Sequence, residues 1–238
     1  DESTVAVGDE LTGDELAALT FDAAADENGP AGAFAYEVGD GDPNTAAPTQ
    51  TVTLEITPVN DAPQITVPDA QETAEDETLV FGAEQENAIA FSDRDLIDGE
   101  LKVALDVAHG TLSLALPENP EDSGLTFEQG TGIDDAKMVF AGTAEDVNAA
   151  VDGLVYLGDS DYNGDDSLSL SVNDQGSTGS GGAKTAEADV AITVNAINDA
   201  PVNTETPAVS GSTVYNGTLT ADAGAWNDEK DNAVRDDD

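Results

Sequence analysis

Hydrophobic and polar residues alternate along several short stretches of this sequence. Val52, Leu54 and Ile56 are separated by Thr53 and Glu55, and the same alternation occurs over residues 34–38, 101–107, 112–116, 168–172 and 190–194. A period of two is typical of strands that bury one face in an antiparallel sheet. Segments rich in glycine, asparagine and aspartate separate the stretches, at residues 39–43, 163–164 and 176–182. The pattern therefore predicts an all-β fold, an antiparallel β-sandwich.

One segment instead has the spacing of a short helix. Thr143 is followed three residues later by Asp146, which resembles a helix-capping box, and Val147, Val151 and Leu154 follow at helical intervals. Thr12, Glu15, Leu16 and Leu19 repeat this arrangement near the start of the sequence. We therefore expect a short helical crossover between strands.

The sequence contains an internal repeat. Residues 51–63, TVTLEITPVNDAP, recur 138 positions later as DVAITVNAINDAP, and Asn28-Gly29 recurs as Asn163-Gly164 with an offset of 135. This period predicts tandem, immunoglobulin-sized β-sandwich repeats. Residues 1–62 would be the C-terminal part of one repeat, 63–200 a complete repeat, and 201–238 the start of another. In an alternative arrangement, 1–62 and 201–238 complete one split domain into which 63–200 is inserted.

The charge balance constrains the partners of this chain. It has 51 acidic and 6 basic residues, a formal charge of −45. Such a chain is not expected to bind nucleic acid or an anionic membrane surface, both of which require lysine and arginine clusters. Two carboxylates about 4 Å apart repel by about 4 kcal/mol at an effective dielectric constant of 20, so folding should require cations or high salt. Disorder is not expected, because 39% of the residues are hydrophobic and follow regular patterns.

The residue types also constrain the chemistry. Cysteine is absent and His109 is the only histidine, which argues against nucleophilic triads and transition-metal sites. A pair of carboxylates could serve a glycosidase, but aromatic residues make up only 5% of the chain and sugar sites usually present aromatic faces. We therefore expect a protein that is not an enzyme. No apolar run approaches the length of a membrane span, and the first residues are not a signal peptide.

Two copies of Asn-Asp-Ala-Pro lie where one predicted repeat ends and the next begins. They place Asn60, Asp61, Asn198 and Asp199 at these junctions. Amide, carboxylate and backbone oxygens are the ligands that Ca²⁺ prefers, and proline stiffens the joint. The alternative is a turn in which Asn and Asp bind their own backbone. Because the motif recurs in so acidic a chain, we predict calcium at both junctions.

Further ligands are expected from acidic residues near the ends of the repeats. Asp93 and Asp95 are two residues apart, so both lie on one side of an extended segment. The remaining candidates are Glu75, Asp40 and Asp174, of which the last two occupy equivalent positions in the two repeats. We expect calcium to connect Asp174 to Asn198 and Asp199.

Residues 159–165 resemble the first half of an EF-hand loop. The sequence DSDYNGD has the required D-x-D-x-N-G, but the glutamate needed at loop position 12 is replaced by Leu170. Leu170 is a predicted core position of a strand. We interpret the segment as a hairpin turn, with a further calcium site as the alternative.

Several segments together resemble the cadherin-like repeats of giant bacterial surface adhesins of the RTX type. They are residues 110–114, 124–132, 140–143, 147–150, 154–156, 161–164, 171–176 and 198–201. The resemblance as a whole covers 63–200 nearly completely, and also the latter half of residues 1–62. The resemblance implies export by a type I system, attachment to the surface of a Gram-negative bacterium, and linkers that Ca²⁺ makes rigid. Asn60-Asp61 and Asn198-Asp199 resemble the cadherin linker motif, and Asp93 and Asp95 resemble the cadherin Asp-x-Asp pair. Residues 211–227 instead resemble the start of a bacterial immunoglobulin-like repeat.

The expected function is that of a calcium-stabilised extracellular module, an extender segment of an adhesin in cell adhesion or biofilm formation. Its partners would be neighbouring repeats of the same chain. The alternative is a module that binds a surface peptide or glycan. Neither role involves direct insertion into a membrane.

Overall fold

The computed structural model describes residues 5–39, 42, 48–96, 99–176 and 179–227. The chain forms two compact units. Unit 1 consists of Asp1–Val59 with Gly179–Gly181, and unit 2 consists of Asn60–Thr178 with Gly182–Asp238. The division falls three residues before the predicted repeat boundary after residue 62. It also groups the predicted third segment with unit 2 rather than with residues 1–59.

The described residues of unit 1 form one helical turn and one hairpin. Its elements are α1 (Gly13–Ala17), β1 (Gly29–Tyr36) and β2 (Gln50–Ile56). The Thr12 side chain accepts the Glu15 N–H, and the Glu15 carboxylate accepts the Thr12 N–H, so the capping box predicted from sequence is present. Strands β1 and β2 are antiparallel. None of the residues in these three elements is buried.

Unit 2 contains most of the strands and the second helix. The elements are β3 (Gln64–Thr66), β4 (Gln71–Ala74), β5 (Thr78–Phe81), β6 (Ala90–Ser92), β7 (Leu101–Asp106), β8 (Gly110–Ser113), β9 (Thr126–Gln129), β10 (Lys137–Gly142), α2 (Ala144–Val151), β11 (Leu154–Gly158), β12 (Gly164–Asn173), β13 (Thr185–Asn195), β14 (Val202–Glu205), β15 (Ala208–Gly211), β16 (Leu219–Asp222) and β17 (Ala225–Asn227). Two 3₁₀ turns, Ala83–Gln85 and Pro120–Ser123, lie in the connections. None of the helices in the described part of the chain is long and apolar enough to cross a membrane.

Two sheets enclose the core of unit 2. A six-stranded sheet has the order β4-β13-β12-β7-β10-β9, and a three-stranded sheet has the order β5-β11-β8. Alternate residues of both sheets are buried in a single hydrophobic cluster that includes Phe81, Leu105, Phe140, Tyr156 and Ile192. The predicted all-β sandwich is therefore confirmed. One pairing departs from the antiparallel prediction, because β4 lies parallel to β13.

Helix α2 is the predicted helical crossover, and it connects β10 to β11. The Thr143 side chain accepts the Asp146 N–H at 3.2 Å, and Val147 and Val151 are buried on the face that packs into the core. The helix begins where the alternation of the strands ends because Thr143 supplies the acceptor that an N-terminal turn lacks.

Replacing Thr143 with alanine should lower the free energy of unfolding of unit 2 by about 1 kcal/mol. Urea denaturation followed by far-UV circular dichroism measures this change. Thr12→Ala is the matched control, because it removes the same cap from α1, which has no buried residue. A midpoint shift in Thr12→Ala as large as that in Thr143→Ala would contradict the explanation.

Candidate metal centre

Asn60 is buried at the start of unit 2. Its side chain is 1% exposed, and Nδ2 donates hydrogen bonds to Asp174 Oδ2 at 2.6 Å and to the Gly182 carbonyl at 3.0 Å. Asp174 follows the last residue of β12, in the turn that leads to β13. The residue between two predicted repeats is therefore joined to a hairpin turn 114 positions later in the chain.

The Asp174 carboxylate is also buried, with 1% of the residue exposed. Oδ1 accepts the backbone N–H groups of Gly176 at 2.9 Å and Lys184 at 2.8 Å. Burial raises the pKa of Asp174, but these donors, the Asn60 amide and the charge of Lys184 together lower it below its ordinary value. Gly176 can approach so closely because its φ is 69°, a conformation that favours glycine.

Asp61 joins the same end of unit 2 to a second acidic segment. Its backbone N–H donates to Asp95 Oδ2, and the Asp95 N–H donates to Asp93 Oδ1 at 2.9 Å. All three residues are partly buried. Asn60 and Asp61 are consecutive, so one dipeptide contacts both the Asp174 turn and the segment of Asp93 and Asp95. The structure thus brings together five of the residues predicted as calcium ligands.

Two oxygen atoms of this cluster have no hydrogen-bond partner among the described residues. They are Asn60 Oδ1 and Asp93 Oδ2, and both atoms are buried. The orientation of the Asn60 amide is fixed because Nδ2 faces two oxygen acceptors. An unsatisfied buried acceptor costs about 1–3 kcal/mol, and more when it is charged. Two such atoms in one acidic cluster fit an oxygen-binding cation.

The cluster does not form a complete coordination shell by itself. No group of three or more histidine, cysteine, aspartate or glutamate side chains within the described ranges is arranged to hold a metal ion. Asn60 does not belong to those residue types, and Ca²⁺ also takes backbone carbonyls and water as ligands. Asp40, predicted as a ligand in the first repeat, lies outside the described residues.

Glu75 lies in a different environment, just after β4. It is 2% exposed; Oε1 accepts the Ile197 N–H, Oε2 accepts the Asn163 amide at 3.4 Å, and its own N–H donates to the Asn195 carbonyl at 2.8 Å. Glu75 therefore holds the chain that leaves β13. Asn198 follows this segment and is exposed, with its amide donating to the Asp199 carbonyl at 3.2 Å. The second Asn-Asp copy is thus not buried as Asn60 is.

The predicted calcium bridge from Asp174 to Asn198 and Asp199 is wrong. Asp174 precedes β13 and Asn198 follows it. The 11 residues of β13 are extended and span about 33 Å, so the two lie at opposite ends of the sheet. Asp174 instead accepts a hydrogen bond from the Asn60 side chain.

Residues 159–163 connect the three-stranded sheet to the six-stranded sheet, because β11 and β12 belong to different sheets. The interpretation of this segment as a hairpin turn is therefore wrong. Tyr162 from this connection stacks on His109, with ring centroids 4.2 Å apart and an angle of 13° between the planes. The only histidine of the chain thus contacts an aromatic ring of the β11–β12 connection.

Asp166, which was not among the residues predicted from sequence, is buried at 8% exposure. Its carboxylate accepts hydrogen bonds from the backbone N–H groups of Ala108 at 3.1 Å and His109 at 3.0 Å. It also accepts the N–H of the next residue, Ser167, and the Tyr156 hydroxyl at 3.0 Å. Burial, followed by the hydrogen bond to Asp166, raises the pKa of Tyr156. A signal was present in the sequence, because Asp166 shares the alternation of Leu168, Leu170 and Val172 and so occupies an inward position.

Comparison with known proteins gives little further information. No protein-family model matches the sequence, and no curated protein matches it. Among solved structures, the chain is similar to the structure described as manganese lipoxygenase of Gaeumannomyces graminis with partial zonadhesin of Komagataella pastoris, at 11% identity and a TM-score of 0.27. The alignment covers 69% of this chain and 55% of that one. So low a TM-score carries no argument about fold or function.

Proposed function

We propose that this chain is a calcium-stabilised extracellular module of a bacterial adhesin, acting as an extender segment in cell adhesion or biofilm formation. The observation that carries the proposal is the pair of buried oxygens without a partner, Asn60 Oδ1 and Asp93 Oδ2. They belong to a cluster that also contains Asp61, Asp95 and Asp174. The resemblance of residues 63–200 to cadherin-like adhesin repeats supports the same role.

Calcium fits this cluster better than other common metals. The donors are amide, carboxylate and backbone oxygens, and the chain has no cysteine. Its histidine, His109, is engaged with Tyr162 at the crossover. Ca²⁺ accepts six to eight oxygens in irregular geometry, whereas Mg²⁺ requires a near-ideal octahedron. An irregular set that combines Asn60, Asp93 and water suits the larger ion.

A cation at this cluster would tie Asn60 and Asp61 to the rest of unit 2. The segment of Asp93 and Asp95 would be linked to the cation directly, and the Asp174 turn would be linked to the cation through Asn60. The chain around residue 60 would then lose its remaining freedom at a point where the sequence predicts the boundary between repeats. Such a restraint suits an extender, in which neighbouring repeats of the same chain are the partners.

The charge supports an extracellular location. A chain with a formal charge of −45 is strongly self-repelling, and extracellular modules bind calcium with Kd values of about 10⁻⁴–10⁻³ M. Calcium at millimolar concentration would fill such sites and reduce the repulsion. Display on the surface of a Gram-negative bacterium, after type I secretion, belongs to the same proposal. The role is structural and not enzymatic.

Isothermal titration at low ionic strength tests the site. Wild-type protein should bind Ca²⁺ with a Kd of about 10⁻⁴–10⁻³ M, and Asp93→Asn should raise the Kd of that site about tenfold or more, because it removes a charged ligand without changing the side-chain size. Glu187→Gln is the matched control, since it removes one charge from an exposed position of β13, opposite Ser171. Equal calcium affinity in Asp93→Asn and Glu187→Gln would overturn the proposed centre.

One cavity favours the second candidate function, a module that binds a peptide or glycan. An open cavity of about 500 Å³ lies on the six-stranded sheet, lined by Lys102, Asn173, Gln175, Thr185 and the small side chains of Ala104 and Ser171. These polar groups suit a hydroxyl-rich or amide-rich ligand. Saturable micromolar binding on a glycan or peptide array that Ala104→Trp abolishes would favour this function over the extender.

A further inference from the structure

The hairpin of unit 1 and the β12–β13 hairpin of unit 2 have the same register. Gly29 pairs with Ile56 and Phe34 with Val52, while Gly164 pairs with Val194 and Leu168 with Val190. The two β2 positions in these pairs, Ile56 and Val52, correspond to the β13 positions 138 residues later, Val194 and Val190. The β1–β2 hairpin is thus the structural counterpart of β12–β13.

A bulge accounts for the one difference between the two hairpins. Gly29 corresponds to Gly164 with an offset of 135, but Phe34 corresponds to Leu168 with an offset of 134. The register of β1 shifts between Pro30 and Gly32, so β1 contains one additional residue there. The correspondence on either side of the bulge is therefore residue by residue.

Corresponding positions differ sharply in burial. In unit 2, Leu168 and Val190 are 0% and 1% exposed. Their counterparts in unit 1, Phe34 and Val52, are 37% and 38% exposed. The hydrophobic face of the β1–β2 hairpin therefore has the residues of a sandwich core but is not buried as a core is.

The strands that pack beside and against β12–β13 show which elements can cover such a hydrophobic face. Strand β7 lies antiparallel beside β12, with Leu105 opposite Leu170, and β4 lies parallel beside β13. The three-stranded sheet packs its buried residues into the same core. Most of these covering strands, β3 to β10, come from residues 63–142.

We propose that unit 1 is an acceptor for a β-sheet segment with the residue pattern of 63–142. Such a segment would place one strand antiparallel beside β1, with an apolar residue opposite Tyr36, the counterpart of Leu170. A second strand would lie parallel beside β2, and further strands would cover Phe34, Val52 and Leu54. The inference does not depend on the calcium centre, because none of its proposed ligands within the described residues belongs to β1 or β2.

Local structure supports this occupant. A hairpin of two strands is marginally stable in water unless it packs against further strands or a helix. Helix α1 has a complete capping box but no buried residue, whereas α2, which follows β10, buries Val147 and Val151 in the core. The helix and the hairpin of unit 1 are therefore formed as in unit 2, but within the described residues they lack the covering strands.

Attaching a copy of residues 63–142 ahead of Asp1 of the otherwise unchanged chain tests the proposal. Amide hydrogen exchange at Phe34, Tyr36 and Val52 should slow about tenfold or more relative to the unfused chain, because the hairpin becomes part of a closed sandwich. In the fusion, Val52→Asp should abolish this protection, since it places a charge on the covered face. Thr53→Asp, on the opposite face of the same strand, should leave the protection in place.

Three results would overturn the inference. The first is a fused hairpin that exchanges as fast as the unfused one, and the second is protection that survives Val52→Asp. The third is protection of the unfused hairpin that increases with protein concentration, because the face would then be covered by a second copy of the chain.

Discussion

Chelating calcium should lower the melting temperature of this chain by about 5–10 °C for each site that was filled. A site at about a hundredfold excess of ligand over Kd adds about 2.7 kcal/mol to the free energy of unfolding. In a protein of this size, 1 kcal/mol corresponds to a shift of about 2–4 °C. The physical cause is that the proposed ion would find the buried, unpartnered oxygens Asn60 Oδ1 and Asp93 Oδ2 only in the folded state.

Differential scanning calorimetry in low-salt buffer, with chelator or with about 10 mM Ca²⁺, measures the shift. Asp93→Asn should reduce the response to calcium, while Glu187→Gln should keep it. Sodium chloride at equal ionic strength separates general screening of the −45 charge from specific binding. Identical melting curves with chelator and with calcium would contradict the proposed function.

Replacing Asp166 with alanine should lower the free energy of unfolding of unit 2 by about 1–3 kcal/mol. The substitution leaves the Ala108 and His109 N–H groups and the Tyr156 hydroxyl without their shared acceptor carboxylate. An unsatisfied buried group costs about 1–3 kcal/mol, whereas the N–H groups of Ala108 and His109 belong to exposed residues and can bind water instead. The loss is limited because the Tyr156 hydroxyl retains a hydrogen bond to the His109 carbonyl at 2.8 Å.

Asp165→Ala provides the control for this effect, because Asp165 is the exposed neighbour on the same strand. Its carboxylate accepts only a 3.3 Å hydrogen bond from Thr193 among the contacts described here. Urea unfolding should place Asp165→Ala within about 0.5 kcal/mol of wild type. Equal destabilisation by the two substitutions would show that general charge reduction, and not the buried network, determines stability.

Local patterns predicted helix α2 and strands that overlap β1, β2, β7, β8, β12 and β13. The alternation at Leu101, Val103 and Leu105 indicates β7 because strand residues two positions apart lie on the same face. Thr143 indicates the start of α2 because a cap depends only on residues three positions apart. In both cases the physical cause lies within a few residues of sequence.

The partners of the candidate site could not be predicted in the same way. Equivalence between Asp40 and Asp174 indicates that both follow a strand, but it does not indicate which end of the sandwich that strand reaches. The pairing of Asp174 with Asn60 depends on the direction of β12 and β13 within the sheet. Likewise, assignment of β11 and β12 to different sheets follows from packing of the whole core, which no local motif encodes.

The parallel pairing of β4 with β13 has a consequence for the order of folding. Gln71 pairs with Ile192, so the sheet edge near the start of unit 2 is completed by its last long strand. Contacts between residues so distant in sequence require loop closure before they contribute stability, which slows folding. A chain emerging during synthesis or export therefore cannot close this sheet until residue 195 is free. Until then, β4 lacks its partner strand and remains accessible to chaperones and proteases.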